Sequence, residues 1–232
     1  MPADRFFVAS PLKNNLILEG QEFHHLAKVM RVRLGETIEI VNGQGELVEA
    51  EVISLNKKSC ELKILSHKKI PPLQQTLILA LALTRPASLE WTLEKATELG
   101  TTEFWLFPGE QSEKKDLSNS QLHRLETIVI NALKQCGRLY LPKIVLKPPL
   151  EQWQIPSGSL FFGDLSTTAP LKGPFDKTVT FFIGPEKGFS PAENVLLREE
   201  FKAHPISLHE NTLRTETAAI TFLSQFSLLK MS

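Results

Sequence analysis

Residues 77–83 read Leu-Ile-Leu-Ala-Leu-Ala-Leu, seven apolar residues with no polar interruption. A strand of this kind cannot turn alternate side chains to water, so it must be covered on both faces. It is far too short to span a membrane. Leu89, Leu93, Ala96 and Leu99 follow at helical spacing, and Gly100 stands where that helix stops. Strand-like segments recur at 104–107, 143–146, 159–162, 179–183 and 205–208. Helical patterns cover 121–135 and the stretch holding Ala218, Ala219, Phe222, Leu223 and Phe226. Ser190, Pro191 and Glu193 form a capping box with proline at the first helical position. Strands alternating with helices predict an α/β domain built on a parallel sheet.

The pattern is different before Pro71 and Pro72, which can continue neither a ladder nor a helix and so mark a linker. Residues 36–41, 47–53 and 60–65 alternate in polarity as half-buried strands do. Asn42, Gly43 and Gly45 between the first two predict a hairpin turn. One short helix is expected over 22–30. Residues 1–70 thus read as a small β-barrel-like domain and residues 73–232 as the larger α/β domain.

Apolar residues at 42% and charged residues at 22% are ordinary for a globular chain. The start has no long apolar stretch behind its charge and does not read as a secretion signal. Cys60 and Cys136 lie far apart and form neither a metal-ligand pattern nor a disulfide framework, which points to a reducing cytoplasm and no metal. Lys and Arg number 26, as do Asp and Glu. This balance argues against indiscriminate coating of nucleic acid, which depends on phosphate neutralisation. It leaves room for a local basic face. Residues 24–33 hold His24, His25, Lys28, Arg31 and Arg33 without an acid, and Lys57-Lys58 and His67-Lys68-Lys69 add further clusters. Such runs are most often solvated surface.

In an open parallel sheet, ligands bind beyond the carboxyl ends of the strands. Three segments fall there: 162–165, 183–190 and 208–218. Each is also readable as an ordinary turn. No Gly-x-Gly-x-x-Gly, no phosphate loop and no nucleophile elbow occurs, which leaves a dehydrogenase, an ATPase or a hydrolase without support.

Five motifs, taken together, are more specific. They are His24-His25-Leu-Ala-Lys28-Val-Met-Arg31-Val-Arg33-Leu-Gly35, Glu94-Lys95-Ala-Thr-Glu98-Leu-Gly100, Gln135-Cys136-Gly137-Arg138 with Pro142, Ile183-Gly184-Pro185-Glu186 with Gly188-Phe189-Ser190, and Leu213-Arg214-Thr215-Glu216-Thr-Ala218. In this order, over nearly the whole chain, they resemble the RsmE family, SPOUT-class methyltransferases that modify N3 of a uridine in 16S ribosomal RNA of the small subunit. The resemblance implies a PUA-like RNA-binding barrel, a C-terminal trefoil-knotted domain, S-adenosyl-L-methionine as methyl donor, and a homodimer without membrane attachment. It departs at Lys187, where the family usually has a second glycine, and at His209 and Asn211, where it usually has Gly and Arg.

The resemblance also implies site residues. Gly163, Ile183, Gly184, Pro185, Glu186, Gly188, Leu208 and Leu213 would hold the methyl donor, chiefly through their backbone. Ile183, Leu208 and Leu213 read equally as core, and Glu186 as an organiser of its loop. Arg214, Glu216 and Arg138 are the candidate catalytic residues. Glu216 reads equally as a favourable carboxylate in a first helical turn, and Arg138 as a surface ion pair. His25, Lys28, Arg31 and Arg33 are the candidate RNA contacts. The stripe of Ala218, Phe222 and Phe226 is either a dimer interface or internal core. Two alternatives stand beside uridine-N3 chemistry: another SPOUT activity on a different base or ribose, and an RNA-binding relative with a weakened donor site.

Overall fold

The computed structural model describes residues 5–12 and 15–231; the segment 1–4, part of the start read for a secretion signal, lies outside the described residues. The chain forms two compact units.

The first unit comprises Met1–Pro72 together with Ile130–Leu141. Its strands are β1 (Arg5–Phe7), β2 (Asn15–Glu19), β3 (Thr37–Val41), β4 (Glu46–Leu55) and β5 (Ser59–Lys69). They form one mixed sheet in the order β1-β3-β4-β5-β2, curled into a half-barrel. Alternation along β3 and β4 buries Ile38, Ile40, Val48, Ala50 and Val52 on one side, where they meet Phe6, Leu18, Leu26 and Leu62. The β3–β4 hairpin forms where expected. Asn42 Oδ1 accepts from Gln44 N at 2.9 Å, and Asn42 Nδ2 donates to Glu46. The helix begins at Gly20 rather than residue 22. It runs as α1 (Gly20–His24) and widens into a π turn, His25–Met30. Arg31 ends it at φ 56°, a left-handed conformation unusual for a side chain of this size. Residues 130–141 join this unit through bonds that no local pattern encodes. Lys134 Nζ donates to Glu22 Oε1 at 2.6 Å, Leu141 N to Gly43 O at 2.9 Å, and Tyr140 Oη to Ile70 O at 3.0 Å.

The second unit comprises Leu73–Val129 and Pro142–Ser232. Its elements are β6 (Thr76–Ala82), α2 (Pro86–Glu98), β7 (Glu103–Phe107), α3 (Asn119–Cys136, whose second half clusters with the first unit), β8 (Lys143–Leu146), β9 (Ser159–Gly163), β10 (Thr178–Ile183), α4 (Pro191–Val195), β11 (His204–Ile206) and α5 (Thr215–Met231). Six parallel strands lie in the order β11-β9-β10-β6-β7-β8. The central position of β6 explains its uninterrupted apolar run. From Leu79 to Ala82 every residue is fully buried.

One expectation needs correction and one alternative gains detail. The last strand ends at Ile206, not residue 208. Ser207 N turns away from the ladder to donate to Ala169 O at 2.7 Å, which frees Leu208 into a loop. The α5 stripe resolves toward core: Phe222 stacks on Phe181 at 4.0 Å between ring centroids, and Phe226 packs edge-on against Phe175 at 4.9 Å. The exposed residues of α5 are Thr217, Ser224 and the run Ser227, Leu228, Leu229 and Lys230.

Candidate active site

The order of the sheet locates the site. From β6 the chain passes to β7 and β8 on one side, then crosses to β9 and returns through β10 to the other side of β6. The carboxyl ends of β6 and β10 therefore flank the point where strand order reverses, the crevice that α/β sheets use for ligands. The loops after β6, β9, β10 and β11 meet there.

The loop after β10 is held on both flanks. Gly188 N donates to Pro185 O at 2.8 Å, closing a tight turn, and Gly188 sits at φ +79°. Glu186 Oε1 accepts from Arg85 N, the residue that begins α2, at 3.0 Å. This bond ties the donor loop to the start of α2. On the other flank Ser190 caps α4: its hydroxyl accepts from Glu193 N at 3.1 Å, and Glu193 Oε2 accepts from Ser190 N at 2.9 Å. The second oxygen of Glu193 accepts from Glu110 N at 2.9 Å, and Ser190 Oγ donates to the Glu110 carboxylate. One buried cap thus ties the β10 loop to the β7 loop. Ser190→Ala strips the Glu193 amide and the Glu110 carboxylate of a partner at a site 3% exposed. The expected cost is about 1–2 kcal/mol, read as a lower midpoint in denaturant unfolding.

Gly184 has no room for a side chain. A Cβ there would stand 2.9 Å from Phe189 N and 3.0 Å from the Gly188 carbonyl carbon. The backbone of residues 184 and 188–189 is thus folded onto itself, its amides kept close to the crevice. Gly163, at the end of β9, is exposed, and a Cβ there would meet Leu208 Cδ1 at 3.7 Å, an ordinary contact. The β11 loop is knit to its neighbours: Asp164 N donates to Ile206 O at 3.0 Å and Gln225 Nε2 of α5 to Leu208 O at 3.0 Å. Leu208 and Leu213 are half-buried beside these backbones, whereas the Ile183 side chain and Pro185 are buried. An adenosine-type ligand needs an apolar slot edged by backbone donors and acceptors. This crevice provides it, and the donor fits.

Lys187 and His209 stand in ordinary backbone, neither at positive φ, so the chain does not require glycine at either position. His209 organises its own loop, because its Nδ1 accepts from Asn211 N at 3.0 Å.

Arg214 and Glu216 lie where this loop enters α5. Arg214 is exposed, and its guanidinium makes no hydrogen bond or ion pair among the described residues; its carbonyl accepts from Ala218 N at 2.8 Å. Glu216 is half-buried in the first turn of α5. Arg138 belongs to the 130–141 segment of the first unit, where burial holds its pKa below the usual arginine range, a shift that Cys136 partly opposes. In that unit Lys28, Arg31 and Arg33 are exposed, while His25 is half-buried with its ring edge-on to Phe6 at 5.8 Å. In the helix α2 motif, hydrogen bonds to Glu94 and then Glu98 push Lys95 up to about 12. That arrangement braces the helix surface and leaves no proton to exchange near neutrality.

Sequence reasoning missed Asp164 and Arg198, which form an ion pair behind the β9 loop while Arg198 covers the Phe162 ring at 5.2 Å. It also missed Glu110 and Thr84. These partners lie tens of residues apart, and no short motif joins them.

Comparisons with known proteins agree with this geometry. A model of the RNA methyltransferase domain matches residues 71–227, and one of the RNA methyltransferase PUA domain matches residues 18–65. The chain is 30% identical to ribosomal RNA small subunit methyltransferase E of Mesomycoplasma hyopneumoniae over 95% of its own length and 97% of that protein. A putative methyltransferase of Legionella pneumophila, solved with bound SAM, superposes with a TM-score of 0.86 at 25% identity over 98% of each chain. A ribosomal RNA small subunit methyltransferase E of Neisseria gonorrhoeae, bound to S-adenosyl methionine, shares the fold with a TM-score of 0.89 at 24% identity over 98% of each chain.

Proposed function

The chain belongs to the ribosomal RNA small subunit methyltransferase E family of RNA methyltransferases, and from that premise we propose that it methylates N3 of a uridine in 16S ribosomal RNA. The observation that carries the proposal is the self-folded Gly184–Phe189 backbone at the reversal of strand order, a cradle with no room for a side chain. S-adenosyl-L-methionine supplies an electrophilic methyl group on its sulfonium. Gly163, Ile183, Gly184, Pro185, Gly188, Leu208 and Leu213 hold it, mostly by backbone, and Glu186 fixes the loop. The C-terminal segment is threaded as the family's trefoil knot.

N3 of uracil carries a proton that must leave, and it lies on the Watson–Crick edge, so the base must be unpaired. Positioning and electrostatics supply most of the rate. Arg214 stabilises the charge that develops on a uracil oxygen as the proton leaves. Glu216, which makes no ion pair with Arg214 among the described residues, receives that proton. Arg138 is a third substrate contact. Lys28, Arg31 and Arg33 meet RNA phosphates, and the strained backbone of Arg31 supports that role, since strain persists where function holds it. The enzyme acts as a homodimer in the cytoplasm. Among the described residues no helix is long and apolar enough to cross a membrane.

Titration with S-adenosyl-L-methionine tests the donor site, with saturable binding in the micromolar range expected (roughly −8 kcal/mol at one micromolar). Incubation with small subunits lacking the modification, followed by nucleoside analysis, tests the product. A methylated ribose or a different base would replace uridine-N3 chemistry with another activity of the class. A folded protein that binds RNA but no donor would be a non-catalytic relative.

A further inference from the structure

The loops after β6 and β7 leave a niche that the donor cradle does not use. Polar Thr84, Glu90, Lys114 and Gln121 line it together with apolar Pro86, Leu89, Leu117 and Leu125. Thr84 is 3% exposed, yet its hydroxyl has no hydrogen-bond partner among the described residues. A hydroxyl on a buried residue that opens onto a niche without a protein partner is available to a ligand. Three further donors face the same place. Lys114 has no ion pair among the described residues. The Gln121 oxygen accepts from the Ser118 amide and hydroxyl at 3.0 and 3.1 Å, which leaves its NH₂ to donate. Helix α2 starts here without a side-chain cap, and Pro86 contributes no N–H, so the amides of Ala87 and Ser88 carry its positive end.

The chemistry is one-sided. Glu90 is the one carboxylate of the lining, and Arg124 holds both of its oxygens at 2.5 and 2.8 Å, which offsets its charge. A phosphate brings acceptors alone and is favoured at a helix N-terminus.

We propose that this niche seats a phosphodiester of the substrate RNA, next to the methylated nucleotide. The proposal rests on the methyltransferase reading above. The niche adjoins the donor loop: Arg85, between its lining residues Thr84 and Pro86, donates its amide to Glu186 of that loop. A phosphate held by Thr84 and Lys114 beside the start of α2 anchors the strand while the neighbouring base enters the donor crevice.

The test compares the wild-type protein with Lys114→Ala and Thr84→Val by two measurements: titration with S-adenosyl-L-methionine, and binding to unmodified small ribosomal subunits across a salt series. Both variants are expected to keep donor affinity within about twofold. Lys114→Ala should weaken subunit binding and flatten the slope of log K against log salt by roughly 0.7–0.9, the loss of one phosphate contact. Thr84→Val should weaken binding with the slope unchanged, because its hydroxyl is neutral. Lys114 is half-buried at the surface, so it carries the test if Thr84→Val fails to fold. Wild-type affinity and slope in Lys114→Ala would overturn the proposal. A wild-type protein that binds no donor, with the slope difference intact, would remove the methyltransferase reading and leave the phosphate seat standing.

Discussion

Arg214→Ala is expected to lower the methylation rate by roughly 10²–10³-fold, the cost of removing one donor to a developing oxyanion. Donor affinity and the melting profile should hardly change. The structure separates these effects. The guanidinium has no partner among the described residues, so its removal breaks no bond of the fold. The backbone carbonyl that accepts from Ala218 is retained by alanine. The residue also precedes the first turn of α5, where the helix dipole disfavours a cation by a few tenths of a kcal/mol. The proposed role uses this exposed, unpaired charge outside the fold. Loss of activity with equal or slightly higher stability is therefore the signature expected. Arg214→Lys should recover part of the rate, since an ammonium keeps the charge but not the planar fork. Normal turnover in a folded Arg214→Ala protein would remove the residue from the mechanism.

The contrast between Ser190 and Thr84 shows what the sequence makes legible. The α4 cap was readable because Ser190, Pro191 and Glu193 are local partners, and backbone geometry alone brings them together. The apolar run of β6 was readable because burial on both faces removes the period-2 signal over seven neighbouring residues. Thr84 gave no sign, since its isolation depends on where α2, α3 and the β7 loop converge. The bond from Arg85 N to Glu186 is equally invisible in the sequence, because the two residues lie 101 apart and the strand order brings them together. Likewise Ser207 shortens β11 through a bond to Ala169 in another loop, and the Phe222 ring finds Phe181 across the sheet. Local period and capping are written in neighbours. Registers between distant segments are not, and the candidate site is made almost wholly of such registers.

The second large effect is expected at Gly184. Its φ is unremarkable, so the demand for glycine is steric, and it comes from backbone. An added Cβ would lie 2.9 Å from Phe189 N, 3.0 Å from the Gly188 carbonyl carbon and 3.3 Å from Phe189 Cδ2. A side-chain end could swing aside, but these backbone atoms cannot. They are pinned by the Pro185–Gly188 turn on one side and by the Ser190–Glu193 cap on the other. Gly184→Ala must therefore open the loop between those anchors, at about 1–3 kcal/mol for overpacking. The displaced groups are the cradle itself. The dissociation constant for S-adenosyl-L-methionine should rise at least tenfold, about 1.4 kcal/mol, while the six-stranded sheet remains folded. Gly188→Ala is the informative partner. Gly188 has φ +79° but nothing within 4 Å of an added Cβ, so it carries conformational strain without a clash. Its donor affinity should fall less than that of Gly184→Ala. Wild-type donor affinity in Gly184→Ala would mean that the donor does not use this loop, and the site would have to be sought at the β9 and β11 loops alone. If the two alanine variants lost affinity equally, loop conformation rather than close backbone approach would govern binding.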